Sequence, residues 1–410
     1  MVAGAREGTP GDAVLGVVPR LVVEPSTVAE AAEALAACAR DRLRVVFAGG
    51  GTDLELGAPP SGLDVVLRTT RLTRVVEHAP ADQIAVVEAG ITLSTLATHL
   101  AAHGQRLALD PPLPGRATLG GVVAANAFGP RRHRFGTSRD LVVGMTFVRA
   151  DGVLAKGGGK VVKNVAGFDV PRLLVGSLGT LALVATVTVR LHPLPEAQST
   201  VLVPGLRAAD VRAVTAALLA AQLEPTSVAA LLEGEDLRLG VRFEGFGPGV
   251  AEQRDRFVAL AADLRLAPEP LAPEEARAFW SRHDAIRSEG ALRTKVAAPP
   301  SSIAEVTARA LRPVLGAAGQ GAAVLYPTLG LALTAGPVAD PGASSAAIGA
   351  AREALAALGG HLVVTAAPPA VRATTDVWGP PPPSLELMRR VKRELDPDHR
   401  LAPGRFLGGT

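Results

Sequence analysis

Residues 44–53 have the sequence Arg-Val-Val-Phe-Ala-Gly-Gly-Gly-Thr-Asp, in which a short apolar β run is followed almost directly by three glycines. Adjacent glycines let the backbone turn several N–H groups toward one point, which suits the binding of an anion such as a diphosphate. The fingerprint G-x-G-x-x-G is not present, because Leu54 occupies the position of its third glycine. In a chain with 44 glycines the triplet alone is also compatible with a simple turn, so its meaning depends on the surrounding sequence.

A run of small residues occupies positions 119–130, Leu-Gly-Gly-Val-Val-Ala-Ala-Asn-Ala-Phe-Gly-Pro, and has the length of a helix. Small side chains let a bulky flat ligand approach the backbone closely. A basic stretch follows at 131–140, Arg-Arg-His-Arg-Phe-Gly-Thr-Ser-Arg-Asp. Because this stretch lies between an apolar helix and a predicted strand and has almost no aromatic residues, it favours binding of phosphate or an anionic substrate over nucleic acid.

A third block, residues 160–181, ends in Gly179-Thr180 just before a nearly continuous β run at 181–191. Lysine is rare in this chain, yet Lys156, Lys160 and Lys163 lie within eight residues of one another. These lysines are compatible with a solvated loop, but their departure from the chain's arginine bias favours a functional site.

The length of 410 residues predicts two domains. A proline cluster near residue 195 marks the first boundary, and beyond it a strand–helix–hairpin–helix pattern occurs twice. This repetition favours a duplicated ferredoxin-like arrangement, an antiparallel sheet with helices on one face, although any α+β domain of this size can look periodic by chance. We therefore expect domains at 1–197 and 198–367, and a C-terminal segment at 368–410 that returns to the first domain.

Composition excludes several classes of protein. The net charge of +3 is too small to indicate nucleic-acid binding, and Cys38 is the single cysteine, so no disulfide within the chain is possible. The first residues contain no apolar run typical of a signal peptide, and no stretch approaches the roughly 18 consecutive apolar residues needed to span a bilayer. We expect a soluble, cytoplasmic protein.

The three blocks also carry a family resemblance. Gly-Gly-Gly-Thr-Asp, Ala-Thr-Leu-Gly-Gly-Val-Val-Ala-Ala-Asn, Gly-Pro-Arg-Arg, Lys-Asn-Val-Ala-Gly-Phe-Asp and Val-Gly-Ser-Leu-Gly-Thr-Leu occur in the order of the vanillyl-alcohol-oxidase-type (PCMH-type) FAD-binding domain. Within that family the chain resembles the E-type FAD-binding subunits of bacterial glycolate oxidases. The resemblance is strong over about 22–195 and resumes at 395–406, which resembles the family's closing Pro-Gly-Arg segment. It implies an α+β fold with a two-part FAD-binding domain and a ferredoxin-like cap domain.

The resemblance also assigns roles to residues of this chain. The FAD diphosphate would be bound by the backbone N–H groups of Ala48, Gly49, Gly50, Gly51, Thr52 and Asp53. The flavin and its ribityl chain would be lined by Thr118, Gly121, Ala125 and Asn126, with Gly129 and Arg131 close by. The adenosine half would contact Gly179, Thr180 and Val184.

Two departures from relatives of this fold refine these expectations. Covalent members link FAD to a His or Cys, often in the first glycine loop, and residues 48–56 contain neither, so we expect non-covalent FAD. Members that oxidise 2-hydroxy acids carry a metal-like motif, His-x-Gly-Asp-Gly-Asn-x-His, which is absent here; we therefore expect no metal. The resemblance implies partners, namely a second FAD subunit and an iron–sulfur subunit, since one cysteine cannot hold a cluster. Those subunits could hold the protein at a membrane surface.

The implied activity is oxidation of glycolate or another small 2-hydroxy acid, which requires a base for the hydroxyl proton and a cation for the carboxylate. Candidate bases are His133, Lys163 and His361, and candidate carboxylate partners are Arg131, Arg132 and Arg134. Each is also compatible with a structural or FAD-contacting role. Two alternatives stay open: a flavin relay or scaffold subunit that meets no substrate, and a stand-alone FAD-linked oxidase of another alcohol or sugar acid.

Overall fold

A computed structural model describes residues 4–160 and 167–410, which form two compact units. Unit 1 comprises residues 1–129, 136–194 and 380–410, and unit 2 comprises residues 130–135 and 195–379. The first boundary therefore falls within the expected proline cluster. Two details differ from the expected domains: the chain returns to unit 1 at Pro380 instead of residue 368, and the six residues Pro130–Phe135 belong to unit 2.

Strands and helices alternate along most of the chain. The strands are β1 (Ala5–Glu7), β2 (Leu21–Val23), β3 (Val45–Ala48), β4 (Val65–Arg68), β5 (Val75–Ala79), β6 (Ile84–Glu88), β7 (Gln105–Arg106), β8 (Val142–Val148), β9 (Leu154–Gly158), β10 (Leu183–Arg190), β11 (His192–Pro193), β12 (Ala197–Val203), β13 (Ser227–Glu233), β14 (Asp236–Gly245), β15 (Glu269–Pro270), β16 (Leu292–Ala297), β17 (Ala322–Tyr326), β18 (Leu331–Gly336) and β19 (His361–Ala366). The α-helices are α1 (Val28–Arg40), α2 (Leu93–Ala101), α3 (Leu119–Ala125), α4 (Arg132–Phe135), α5 (Ser138–Leu141), α6 (Val170–Leu174), α7 (Ala208–Ala220), α8 (Gly247–Asp263), α9 (Pro273–Ser288), α10 (Ile303–Val306), α11 (Arg312–Ala317), α12 (Pro341–Ala356), α13 (Pro369–Arg372) and α14 (Leu385–Leu395).

Unit 1 begins with a four-stranded sheet in the order β1-β2-β4-β3, in which β2, β4 and β3 are parallel. Helix α1 connects β2 to β3, because parallel strands of one sheet require a crossover connection. It begins where the Thr27 hydroxyl accepts a hydrogen bond from the Glu30 amide at 3.1 Å. Its apolar face is fully buried in a core that also receives residues from β4, β8 and β10.

The second sheet of unit 1 is antiparallel and has the order β5-β6-β10-β8-β9. Strand β10 lies at its centre, and all but two of its eight residues are buried, which matches the nearly continuous apolar run in the sequence. Next to β10, strand β6 forms a hairpin with β5 around Pro80–Asp82. This sheet and the parallel sheet contribute to the same hydrophobic core.

The C-terminal segment completes unit 1. The amide of Val45 in β3 donates to the Arg400 carbonyl, and the Ala402 amide donates to the Val45 carbonyl, at 2.8 and 2.7 Å. These two bonds place the chain after α14 along the free edge of β3. The residues that follow are thereby brought to the loop that leaves β3.

Unit 2 is built on an eight-stranded antiparallel sheet with the order β15-β12-β14-β13-β17-β18-β16-β19. Each half of the sheet has four strands. Read from the outer edge of the sheet inward, they are the fourth, first, third and second strands of that half in chain order, which is the order of a ferredoxin-like unit. The two halves join through their second strands, β13 and β17. The predicted duplication is thus confirmed. Across the described parts of both units, no helix combines the length and apolar character needed to cross a bilayer.

Candidate functional site

A cleft that is partly open to solvent lies within unit 1. Its wall is formed by the end of β3 and the loop after it, by α3, by the start of β10, and by one residue of the C-terminal segment. The lining residues are Val46, Phe47, Ala48, Gly49, Gly50, Gly51, Thr52, Asp53, Leu54, Thr69, Thr118, Gly120, Gly121, Ala124, Ala125, Leu178, Gly179, Ala182, Leu183, Val184 and Arg405.

The glycine loop after β3 is packed too closely for side chains at two positions. A Cβ on Gly49 would collide with the Thr118 hydroxyl, and one on Gly50 with the Arg116 carbonyl oxygen. Gly51 differs, since it has a φ of +75° and open space where a Cβ would lie. In the described part of the chain, the amides of Gly50, Gly51 and Thr52 donate no hydrogen bond to the protein. These amides are available to an anion such as a diphosphate.

Helix α3 forms the opposite wall and begins at Thr118, whose hydroxyl accepts a hydrogen bond from the Gly121 amide at 3.4 Å. Gly121 faces open space apart from this hydroxyl, which would lie 3.1 Å from a Cβ. The helix ends at Ala125, earlier than the small-residue run 119–130 suggested. The reason is Asn126, whose left-handed backbone (φ 49°) terminates the helix. Asn126 is not among the residues that line the cleft, although its Oδ1 is buried without a hydrogen-bond partner in the described structure, and its contact with the flavin stays a prediction.

The loop before β10 brings Leu178 and Gly179 to the cleft. Gly179 has a φ of +71°, and its Cα lies against the ring of Phe47, where a Cβ would approach to 2.9 Å. Thr180 does not line the cleft, because its hydroxyl donates to the Ser177 carbonyl at 2.7 Å and its own carbonyl accepts from Lys392. Its predicted contact with the adenosine half stays a prediction.

Arg405 also lines the cleft, although the sequence analysis assigned it no role. Its side chain is 3% exposed, and its Nη2 donates to the carbonyls of Leu54 and Leu56 at 2.8 and 2.7 Å. The guanidinium thus fixes the far end of the glycine loop and supplies positive charge to the cleft. The signal that could have identified it is the closing Pro-Gly-Arg segment, of which Arg405 is the arginine.

The remaining expected FAD residues lie outside the cleft. Gly129 packs against Asp110, where a Cβ would collide with the aspartate. Arg131 lies in unit 2 and donates from Nη2 to the Glu244 carboxylate at 3.1 Å; the Glu244 side chain is 1% exposed. The role of Gly129 and Arg131 near FAD stays a prediction.

The basic cluster contacts acceptors of unit 2. His133 Nδ1 lies 2.9 Å from the Thr328 hydroxyl, and burial lowers the pKa of this histidine below its usual value. Arg134 forms an ion pair with Glu224 at 2.9 Å. Arg132 is half-buried. Arg131 and Arg134 thus bind carboxylates of the protein, and the contact of Arg132 with a substrate carboxylate stays a prediction.

Of the two further candidate bases, only His361 is described by the structure, and it is not among the residues that line the cleft. Lys163 lies outside the described residues. His361 begins the edge strand β19 of unit 2 and is exposed. The cleft residues themselves offer amides, hydroxyls and apolar surface, together with Asp53 and Arg405 as charged groups. This composition fits the binding of an extended diphosphate-containing cofactor better than it fits acid–base chemistry.

Comparison with known proteins agrees with that composition. Residues 19–158 match the family model described as "FAD binding domain". The chain is 31% identical over 216 residues to glycolate oxidase subunit GlcE of Escherichia coli (strain K12), which covers 52% of this chain and 60% of that protein. It is 39% identical over 175 residues to D-lactate dehydrogenase of Archaeoglobus fulgidus, which covers 42% and 39% respectively. An uncharacterised FAD-linked oxidoreductase of Mycobacterium tuberculosis is 31% identical over 257 residues, or 61% of this chain and 55% of that one.

The fold has solved counterparts at low sequence identity. A structure of p-cresol methylhydroxylase with substrate bound superposes with a TM-score of 0.75 at 15% identity, and covers 95% of this chain and 89% of that one. Alkyldihydroxyacetonephosphate synthase gives 0.73 at 15% identity, with 96% and 78% covered. These likenesses confirm the predicted α+β, PCMH-type fold. The curated relatives are matched over only about two fifths to three fifths of their own length.

Proposed function

Since residues 19–158 match the model of an FAD-binding domain, we propose that the chain is the FAD-binding subunit of a complex that oxidises glycolate or another small 2-hydroxy acid. The observation that carries the proposal is the cleft of unit 1, which joins free backbone amides to a wall of small residues. The similarity of the chain to a glycolate oxidase subunit and to D-lactate dehydrogenases supports the proposed class of substrate.

When bound, FAD supplies an acceptor for the hydride that leaves the carbon of the hydroxy acid. The chain's own residues would hold the cofactor and orient the acid. The amides of Gly50, Gly51 and Thr52 would bind the diphosphate, while Gly121 and Ala125 leave room for the flavin. Phe47 to Leu54 contain neither His nor Cys, so the binding would be non-covalent.

The acid requires a cation for its carboxylate and a base for its hydroxyl proton. We assign the carboxylate to Arg132. Among the candidate bases His133 has the best support, because burial lowers its pKa and keeps the imidazole neutral at neutral pH, the form that accepts a proton. Lys163 and His361 stay as alternatives.

The first test is a visible spectrum of the purified chain alone, recorded before and after anaerobic addition of glycolate and, in a second cell, D-lactate. We expect a flavin spectrum that bleaches with one of the acids. Flavin that binds but persists in both cells would contradict catalysis by this chain alone, and preparations lacking flavin after reconstitution would contradict the cofactor assignment.

Replacing Arg132 with alanine should raise the KM for the acid without releasing FAD, because the arginine would contact substrate and not cofactor. Loss of one charge-assisted hydrogen bond corresponds to roughly 1.5–3 kcal/mol, or about a tenfold to a hundredfold rise. The matched control is Arg149→Ala, which removes an exposed arginine of unit 1 paired with Asp151. Equal KM values in all three proteins would remove Arg132 from the site.

A second candidate function is a flavin relay or scaffold subunit. The ion pairs of Arg131 and Arg134 favour it, since they consume two of the three candidate carboxylate partners. Under this proposal a second FAD subunit would oxidise the acid and an iron–sulfur subunit would carry electrons onward. Co-expression with such companions tests it: the flavin of this chain would then bleach with glycolate only in the assembled complex.

A further inference from the structure

Three of the eight histidines of the chain meet on unit 1, away from the residues that line the cleft. His78 lies on strand β5, His99 lies on helix α2, and His103 follows two residues after the end of that helix. The ring centroids are 4.7 to 5.6 Å apart, and one ring nitrogen of each histidine lies within 4.8 Å of the other two. None of these residues has a role in the function proposed above.

Hydrogen bonds determine which nitrogen His78 offers. The amide nitrogen of Gln105 donates to the Pro80 carbonyl at 2.8 Å, which turns the amide oxygen toward His78 Nε2, 2.9 Å away. Because that oxygen can only accept, Nε2 of His78 carries the hydrogen and Nδ1 carries the lone pair. His78 Nδ1 is buried and has no hydrogen-bond partner in the described structure.

The other two histidines are one helical turn apart, the i and i+4 spacing that places two ligands on one face. His103 Nδ1 lies 3.3 Å from the His99 carbonyl, which can only accept, so Nε2 of His103 carries the lone pair. Nε2 of His99 is buried without a hydrogen-bond partner in the part of the chain that the structure describes. The three rings therefore each have a nitrogen available to a ligand.

The dimensions fit one metal ion. Zinc binds imidazole nitrogen at about 2.0–2.1 Å in a tetrahedral site, which puts the ring centres of two ligands about 5 Å apart. The observed centroid separations bracket that value. The three nitrogens must move closer together to share one ion, and the exposed His103 has space to rotate its ring. The bond from His78 to Gln105 is the outer contact that commonly orients a metal-binding imidazole.

We propose that His78, His99 and His103 bind a divalent late transition-metal ion such as zinc, with water in the fourth position. An all-imidazole set suits zinc, copper and nickel, and not magnesium or calcium, which prefer oxygen ligands. The bound ion would tie the end of α2 to strand β5. This site is separate from the proposed function, so either proposal can fail without the other.

The test is a titration of the tag-free, FAD-loaded full chain with zinc after removal of metal by a chelator, followed by calorimetry and equilibrium dialysis. We expect one zinc per chain at micromolar free metal and a rise in Tm with zinc. Each of His78→Ala, His99→Ala and His103→Ala should weaken binding by at least about a hundredfold, and Gln105→Ala by about ten- to a hundredfold. The cobalt form of the wild type should show the visible bands of a tetrahedral site, and the three histidine-to-alanine variants should not.

The matched control is His399→Asn. His399 is an exposed histidine of unit 1 with a φ of 51°, a conformation that asparagine tolerates. This variant should bind zinc as the wild type does. The proposal is overturned if zinc binds only at millimolar concentration, or if the alanine variants, shown by their metal-free Tm to be folded, bind it unchanged.

Discussion

Replacing Gly121 with leucine is expected to remove FAD from the purified chain while leaving the fold intact. Gly121 lines the cleft, and a Cβ there would meet only the Thr118 hydroxyl at 3.1 Å. The remaining atoms of leucine would therefore enter the space assigned to the cofactor. Leucine also has a higher helix propensity than glycine, by somewhat under about 1 kcal/mol, so helix α3 would not be weakened.

The measurement is the flavin-to-protein ratio after reconstitution, with unfolding monitored on the same samples. We expect the affinity for FAD to fall by at least about a hundredfold, equivalent to roughly 3 kcal/mol. The control Gly349→Leu makes the same change on an exposed helix position of unit 2 where a Cβ would meet nothing within 4 Å. A Gly121→Leu protein that retains stoichiometric flavin would show that this cleft is not the FAD site.

Local sequence patterns predicted the glycine-loop side of the cleft because its residues are adjacent in the chain. Gly49–Gly51 directly follow a β run, and this local context predicted unpaired amides and close backbone approach. Gly121 was also predicted from a local pattern, since it lies in a run of small residues with the length of a helix. The structure brings these positions to one cleft, and their contact with FAD stays a prediction.

The sequence could not predict contacts between distant residues. Arg405 reaches the glycine loop only because the C-terminal segment bonds to β3, and this pairing leaves no local pattern around either partner. The partners of the arginines in the basic cluster could not be predicted from the sequence either. Their composition indicated an anion site, but the anions they meet include Glu224 and Glu244 of unit 2, about a hundred residues away.

The repeated pattern of the second domain was more informative than any motif within it. The alternation of strand and helix patterns predicted which elements each half contains. Together with the expected antiparallel pairing, it predicted a ferredoxin-like order of strands in each half. The periodicity of the sequence does not indicate which strands pair to join the two halves of this sheet. Pairing of β13 with β17 depends on two edges that are nearly a hundred residues apart, a long-range choice made by packing.

Lys392→Met is expected to destabilise unit 1 more than any other single change on its C-terminal helix. The Lys392 ammonium donates to the Asp396 carboxylate, the Thr180 carbonyl and the Leu401 carbonyl at 2.6, 2.7 and 2.8 Å. Three acceptors use all three donors of a protonated lysine, so the group is an ammonium even though burial lowers its pKa. Methionine is unbranched like lysine and one atom shorter, and it removes every donor.

The loss should be about 3–5 kcal/mol in the free energy of unfolding, because the Asp396 carboxylate, 1% exposed, would stay buried without its cation. Thr180 adjoins Gly179 of the cleft, so we also expect weaker FAD retention. Trp280 and Trp378 both lie in unit 2, whereas bound flavin reports unit 1, so urea unfolding followed by flavin fluorescence measures the relevant transition.

The control for this change is Arg389→Met on the exposed face of the same helix, where a surface ion pair with Glu386 is worth at most about 1 kcal/mol. Both variants replace one cation of α14 by methionine. They differ only in the burial of that cation and in the number of acceptors that lose their donor. A flavin transition shifted equally in the two variants would mean that the buried ammonium adds nothing beyond its charge. A shift confined to Lys392→Met would mean that the buried ammonium of α14 stabilises unit 1 through its three acceptors.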